Sequence, residues 1–158
     1  MTVVASIVTP KGVWMGADSL ASSDDQRVAS TTPKVYRFRN FLLGFSGSYG
    51  TGQLLRQILR EEPEMTLREL VNKYEAPGSD WEVLLADERG VYEYQPHGGL
   101  VKMRSRQGAS YGAIGSGSSV ALGSLYSWHD GREALLSSLK AAAEHTNRVR
   151  GPFKIVTI

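Results

Sequence analysis

The chain has 158 residues, no cysteine and a net charge of only +2, with 22% charged and 41% hydrophobic residues. This size predicts one domain over residues 1–158 with a core of its own. Lysines and arginines are spread along the chain and form no basic stripe, so no nucleic-acid partner is expected. The absence of cysteine excludes disulfides, thiolate metal sites and a cysteine nucleophile. Without a signal-peptide pattern or an apolar run of about 20 residues, we expect a cytoplasmic protein that neither crosses nor binds a membrane.

The first part of the chain predicts strands. Residues 2–9 and 13–18 are rich in β-branched and apolar residues on either side of the turn "PKG", and they predict a hairpin. The polar residues 19–33 predict a loop. Residues 34–40 alternate as in a half-buried strand, and 41–48 form an apolar run that ends in a glycine-rich turn.

The hydrophobic period then changes from strand to helix. In "YGTGQLLRQILREEP" the leucines and the isoleucine recur at helical spacing, and a proline ends the pattern. A second helix is predicted in "TLRELVNKYEAPG", where Thr66 and Glu69 fit a capping box.

The second part of the chain repeats this order. "DWEVLLADERG" and "VYEYQPHGGLVKMR" predict two strands, and "YGAIGSGSS" predicts a third that ends in a glycine-rich turn. Two helices separated by "HDG" follow, and "GPFKIVTI" predicts a last strand. Grouped strands followed by grouped helices favour an α+β fold. Helix pairs that cover sheet faces would give a four-layer αββα sandwich.

Three residues at strand ends suggest nucleophilic catalysis. Thr2 begins the first strand, Asp18 ends the second and Lys34 begins the third. If Met1 is removed, Thr2 carries a free amine with an ordinary pKa near 8, which can accept the proton of its own hydroxyl. A nearby lysine would lower the pKa of that amine, and an aspartate would hold the lysine in place. A retained Met1 would disable this mechanism.

These residues and their surroundings resemble the proteasome β-subunit and HslV family of N-terminal threonine hydrolases. The resemblance covers nearly the whole chain, through "TVVASIVTPKGVWMGADS", "TPKVYRF", "LLGFSGSYGTG", "YGAIGSGSSVALGSL" and "GPFKIVTI". It is closest to short forms from bacterial and phage genomes. It implies the proteasome-like Ntn-hydrolase fold and the roles of nucleophile, acid and lysine for Thr2, Asp18 and Lys34.

The resemblance implies further site residues. Gly47 matches the glycine whose N–H stabilises the oxyanion, with Ser48 as the alternative if the register shifts by one. Ser116 matches the serine near the terminal amine. By the same register, Ala21 and Thr32 would line the substrate pocket.

One segment departs from the family pattern. The family carries an aspartate before its last strand, followed by a Ser-Gly-Gly-like turn. Here, counting back from Gly151 puts Asn147 in place of the aspartate and Arg150 in place of a serine. Glu144 is the nearest acid, so support for the amine is expected to differ.

Simpler interpretations remain open. Asp18 can be a turn residue and Lys34 a solvated strand end. The glycine-rich turns lack a phosphate-binding motif, and no cofactor is expected. The histidines have no metal-ligand spacing, so no metal site is expected; they are His97, His129 and His145.

The resemblance implies a threonine peptidase that acts on peptides or unfolded proteins inside a homo-oligomeric ring, served by a separate ATPase. The alternative is a catalytically silent scaffold or a phage structural or regulatory protein. A small-molecule amidase is a third option, because fold does not fix substrate. The cytoplasm expected above would be that of a bacterium or of a phage-infected cell.

Overall fold

The computed structural model describes residues 2–23, 26–29, 32–66, 69, 81–95, 99–103, 105–127 and 130–158. The first six strands in these ranges are β1 (Val4–Thr9), β2 (Gly12–Ala17), β3 (Leu20–Ser23), β4 (Gln26–Ala29), β5 (Val35–Arg37) and β6 (Leu42–Gly47). The later strands are β7 (Trp81–Asp87), β8 (Gly90–Gln95), β9 (Gly99–Lys102), β10 (Ser105–Arg106), β11 (Ala109–Ile114) and β12 (Lys154–Thr157). The helices are α1 (Tyr49–Glu61), α2 (Ser118–Ser127) and α3 (Gly131–His145).

The strands form two antiparallel five-stranded sheets. The first sheet has the order β10-β11-β1-β2-β12, and the second has the order β5-β6-β7-β8-β9. A separate two-stranded ribbon pairs β3 with β4. Two antiparallel sheets with three helices among the described residues confirm the predicted α+β class.

The central strand β1 is buried on both faces, which explains its continuous run of apolar residues. Alternate side chains of a strand point to opposite faces. Val4 and Val8 lie in an apolar cluster shared with residues of the second sheet. Ala5 and Ile7 lie in another cluster shared with residues of α2 and α3.

The second sheet follows the same rule. Leu84 joins the cluster that includes Val4, whereas Val83 and Leu85 pack with Leu55 and Leu59 of α1. Burying a leucine or valine side chain contributes about 1.5–3 kcal/mol, so these clusters supply much of the folding free energy.

In the described part of the chain, no helix has the length and apolarity to cross a bilayer.

The predicted loop over 19–33 is wrong in part. Residues 20–23 and 26–29 pair as the ribbon of β3 and β4, from Leu20↔Ala29 to Ser23↔Gln26. Polar composition predicted a loop, but a ribbon needs only paired backbone groups. The single strand predicted in "VYEYQPHGGLVKMR" is also wrong, because β8 and β9 are separate strands of the second sheet.

The second predicted helix falls mostly outside the described residues, but its capping box is present. The Thr66 N–H and the Thr66 hydroxyl both donate to Glu69 Oε2 at 2.8 Å, and the Glu69 N–H donates to Thr66 Oγ1 at 3.3 Å. The predicted hairpin of β1 and β2, the helix after residue 48, the two late helices and the last strand are confirmed.

Six strand ends lie together at one end of the two sheets. Val4 pairs with Ala17 and with Ile114, so the start of β1 lies beside the ends of β2 and β11. Gly47 pairs with Trp81, so the end of β6 lies beside the start of β7. The start of β5 also lies at this end, and the candidate residues are gathered there.

Candidate active site

Thr2 is buried against Asp18 at the entrance to β1. Thr2 is 2% exposed and Asp18 is 3% exposed. The Thr2 hydroxyl donates to Asp18 Oδ1 at 2.8 Å, and the Val3 N–H donates to the same oxygen at 3.1 Å. The second oxygen, Asp18 Oδ2, accepts from the Leu20 N–H at 3.2 Å. Backbone N–H groups therefore hold both oxygens of the Asp18 carboxylate, and Oδ1 also accepts from the Thr2 hydroxyl.

Lys34 completes this cluster from the start of the second sheet. Its Nζ lies 3.0 Å from Asp18 Oδ1 and 2.5 Å from the carbonyl oxygen of Leu20, and it also donates to Thr2 Oγ1. An ammonium group has three donors, so each one has a partner. Lys34 is only 4% exposed, and such burial requires pairing and hydrogen bonding of the charge.

Burial lowers the pKa of Lys34 from its ordinary value of 10.5, and the charge and hydrogen bond of Asp18 oppose that shift. The lysine therefore holds its proton less firmly than an exposed lysine, while it contacts a hydroxyl group. Perturbed groups of this kind occur often at functional sites. The contact can stabilise negative charge that develops on Thr2 Oγ1.

A glycine turn holds the other side of Thr2. The Thr2 carbonyl oxygen accepts from the Gly117 N–H and from the Ser116 hydroxyl, both at 3.3 Å. Gly115 begins this turn with φ +87°, and a Cβ there would overlap the Thr2 carbonyl oxygen. Only glycine fits such a position without strain. The structure therefore brings Ser116 to Thr2, through the carbonyl group.

Gly47 is the last residue of β6 and has φ +92°, a conformation that favours glycine. Gly47 and Ser48 are both exposed. The neighbouring Ser46 Oγ lies 3.0 Å from the position that a Cβ on Gly115 would take. The end of β6 therefore lies close to the turn that holds Thr2, and the choice of Gly47 or Ser48 as oxyanion donor stays a prediction.

The segment that departs from the family pattern approaches the cluster through its backbone. The Arg150 carbonyl oxygen accepts from the Ser19 N–H at 3.3 Å, one residue after Asp18. Asn147 lies in a turn after α3 and Glu144 in its last turn, and both are exposed. Neither makes a hydrogen bond to Thr2, Asp18 or Lys34 within the described part of the chain.

For the remaining predicted residues, the structure gives only a position in the fold or no description. Ala21 lies in β3, and Thr32 is half-buried two residues before Lys34. Met1, His97 and His129 lie outside the described residues. No group of three potential metal ligands occurs among the side chains that the structure describes.

Sequence reasoning missed Glu82, the second residue of β7. Its Oε2 accepts from the Gly115 N–H at 2.8 Å, so a carboxylate of the second sheet contacts the turn that holds Thr2. The available signal was an acid at an alternating position with Leu84 and Ala86, which face the first sheet.

Comparison with known proteins gives no match to a family model and none to a curated protein sequence. Solved structures do match. BPH from Thiobacillus denitrificans in complex with epoxomicin superposes with a TM-score of 0.81 at 18% identity, over 99% of this chain and 97% of that chain. The fold is that of the proteasome-like Ntn hydrolases.

Two further structures agree. HslV from Trypanosoma brucei has a TM-score of 0.77 at 14% identity, over 98% of both chains. Anbu, an ancestral beta-subunit from Yersinia bercovieri, has a TM-score of 0.71 at 14% identity, over 98% of this chain and 80% of that chain. At these identities the likeness establishes the proteasome-like fold and leaves activity to be argued from the site.

Proposed function

We propose that this protein is a threonine-type peptidase, with Thr2 as its nucleophile once Met1 has been removed. The observation that carries the proposal is the buried contact of the Thr2 hydroxyl with Asp18 and Lys34. A hydroxyl is a weak nucleophile until an adjacent base or a neighbouring charge activates it. This cluster supplies the charge partner, and the freed amine of Thr2 supplies the base.

In the first half of the reaction, Thr2 Oγ1 attacks the carbonyl carbon of a peptide bond. The hydroxyl proton passes to the Thr2 amine, and Lys34 stabilises the oxygen as it loses that proton. The negative charge moves to the substrate oxygen, where the Gly47 N–H donates to it. One such donor can contribute about 3 kcal/mol. The amine then protonates the leaving nitrogen, the C–N bond breaks and an ester remains on Thr2.

In the second half, water attacks the ester carbonyl carbon and gives a proton to the Thr2 amine. The C–O bond to Thr2 breaks, the carboxylic acid product leaves, and the proton returns to Oγ1. Asp18 keeps Lys34 in place throughout. Ser116 holds the Thr2 carbonyl group and thereby the terminal amine next to it.

The proposal extends to assembly. The likeness to HslV and to a proteasome-like beta-subunit supports a homo-oligomeric ring in which single-domain subunits of four αββα layers enclose the sites. Peptides or unfolded proteins would be the substrates, delivered by a separate ATPase in the cytoplasm of a bacterium or a phage-infected cell. A monomeric mass in solution at micromolar concentration would contradict the ring.

A catalytically silent scaffold or phage structural or regulatory protein is the second candidate. The exposed positions of Glu144 and Asn147 favour it, because no acid from that segment contacts Thr2 within the described residues. A small-molecule amidase would use the same nucleophile on a smaller substrate.

Peptide hydrolysis separates these candidates. Intact mass first establishes that Met1 is absent, and fluorogenic peptides are then given to the wild type, to Thr2→Ala and to Thr9→Ala. Thr9 lies at the opposite end of β1 and serves as the matched control. The peptidase predicts turnover in the wild type and in Thr9→Ala alone. Absence of turnover despite a free Thr2 favours the scaffold if small amides are also untouched.

A further inference from the structure

We infer that Glu82 is a positioning residue that holds the glycine turn of residues 115–117 against Thr2. The inference rests on the proposed peptidase function, because its consequence is measured as turnover. It depends on one contact, in which the Glu82 carboxylate of β7 accepts a hydrogen bond from the turn that follows β11.

The turn sets the position of Thr2. Gly117 and Ser116 each donate a hydrogen bond to the Thr2 carbonyl oxygen, and Gly115 packs against that oxygen too closely to carry a side chain. A shift of this turn therefore moves Thr2. A displacement of about 1 Å at a reacting group can reduce a rate about 100-fold.

Glu82 fixes that turn from the opposite sheet. Its Oε2 accepts from the Gly115 N–H at 2.8 Å, which is the short distance expected when a carboxylate accepts from an amide. This N–H lies one residue beyond the last pair of β11 with β1, Val4↔Ile114. The sheet ladder has ended there, so a side chain holds the backbone.

The backbone of the same residue relates the turn to the end of β6. Glu82 pairs directly with Ser46, next to Gly47. The Ser46 Oγ lies 3.0 Å from the position that a Cβ on Gly115 would take. Glu82 therefore contacts both the turn that holds Thr2 and the strand that ends in the proposed oxyanion donor.

Among the described residues, no side chain of the segment before the last strand holds this turn. Glu144 and Asn147 are exposed at the end of α3 and make no hydrogen bond to the turn. Glu82 is exposed as well, so its replacement should leave the core intact.

The test compares Glu82→Leu, which removes the acceptor at similar size, with Glu82→Gln, which keeps an acceptor oxygen. Glu88→Leu is the matched control, since Glu88 is an exposed acid in the turn at the far end of β7. We expect Glu82→Leu to lower kcat about tenfold with KM within about twofold. Glu82→Gln should recover most of kcat, and Glu88→Leu should match the wild type. Amide hydrogen exchange over residues 115–117 should quicken about tenfold in Glu82→Leu alone.

The outcomes separate the two proposals. An active wild type with an unchanged kcat in Glu82→Leu overturns the inference and leaves the peptidase proposal intact. A wild type without turnover despite a free Thr2 overturns the peptidase proposal, and hydrogen exchange then decides whether Glu82 holds the turn. Loss of the circular dichroism spectrum in Glu82→Leu would show a general structural role and also overturn the inference.

Discussion

Lys34 Nζ lies 3.0 Å from Asp18 Oδ1, and the two side chains are 4% and 0% exposed. The two charges come from different sheets, since Asp18 follows β2 and Lys34 precedes β5. Buried ion pairs add little net stability, but removing one partner leaves a charge that neither water nor protein compensates. The pair therefore makes the geometry at Thr2 depend on the packing of the two sheets.

Removing Lys34 alone should destabilise the protein. We expect Lys34→Met to lower the free energy of unfolding by about 3 kcal/mol, because Asp18 is left buried without its counter-charge. Adding Asp18→Asn should recover part of that loss, since the uncompensated charge is gone, while peptide turnover stays absent. Urea denaturation of the wild type, both single variants and the double variant measures the coupling. Additive losses would show that the two side chains do not interact.

The stability of the protein should depend on pH through Lys34. Burial lowers the pKa of Lys34 below 10.5, so between the lowered value and 10.5 the unfolded chain binds more protons at this residue than the folded chain. The contribution of Lys34 to the free energy of unfolding therefore rises as pH increases through that window. Urea denaturation from about pH 8 to about pH 10 should show a steeper rise for the wild type than for Lys34→Met. Lys140→Met, at an exposed position of α3, should keep the wild-type slope, and equal slopes for all three proteins would contradict the burial of Lys34.

Gly115 should tolerate no side chain. Gly115→Ala places a Cβ at φ +87° and against the Thr2 carbonyl oxygen, whereas Gly108→Ala has a similar φ of +81° with nothing within 4 Å. Strain at positive φ costs about 1–3 kcal/mol and is common to both variants. Only Gly115→Ala should also lower peptide turnover, by about tenfold or more, because it displaces Thr2. Thermal unfolding and kcat of the two variants check this prediction. Equal kcat values for Gly115→Ala and Gly108→Ala would disprove that the turn positions Thr2.

Ser116 should contribute to rate more than to stability. Its exposed hydroxyl donates to the Thr2 carbonyl oxygen at 3.3 Å, and a hydrogen bond of this kind contributes about 1 kcal/mol. If that bond orients the terminal residue, Ser116→Ala should lower kcat about fivefold. Ser127→Ala removes a comparable exposed hydroxyl, which donates to the Gly123 carbonyl oxygen in α2, and should leave kcat unchanged. A larger effect of Ser127→Ala would point to indirect effects of helix stability.

The sequence predicted those elements whose burial leaves a regular pattern. β1 follows from its run of β-branched and apolar residues, α1 follows from its helical spacing, and the capping box of Thr66 and Glu69 follows from spacing alone. The ribbon of β3 and β4 did not follow, because its pairing involves backbone groups of a polar segment. The boundary between β8 and β9 was also missed, since the residues before and after it favour strands.

The sequence predicted the part of the candidate site in which residue type and position along the chain indicate a chemical role. Thr2, Asp18 and Lys34 stand at strand ends, and the antiparallel registers bring those ends together. The part played by Glu82 could not be predicted, because its contact with Gly115 depends on how the two sheets face each other. Spacing within β7 puts Glu82 on the face of Leu84 and Ala86, but it does not show which residue of the opposite sheet Glu82 contacts.

Covalent capture of Thr2 tests the central claim most directly. A peptide that ends in an electrophilic group is a suitable probe, because an activated hydroxyl can form a covalent bond with it. After incubation with this electrophilic peptide, the intact mass of the wild type without Met1 should increase by one peptide molecule, and Thr2→Ala should keep its own mass. Thr9→Ala should be modified like the wild type. A wild type with a free Thr2 that stays unmodified, or a Thr2→Ala variant that is modified equally, would contradict the assignment of Thr2 as the nucleophile.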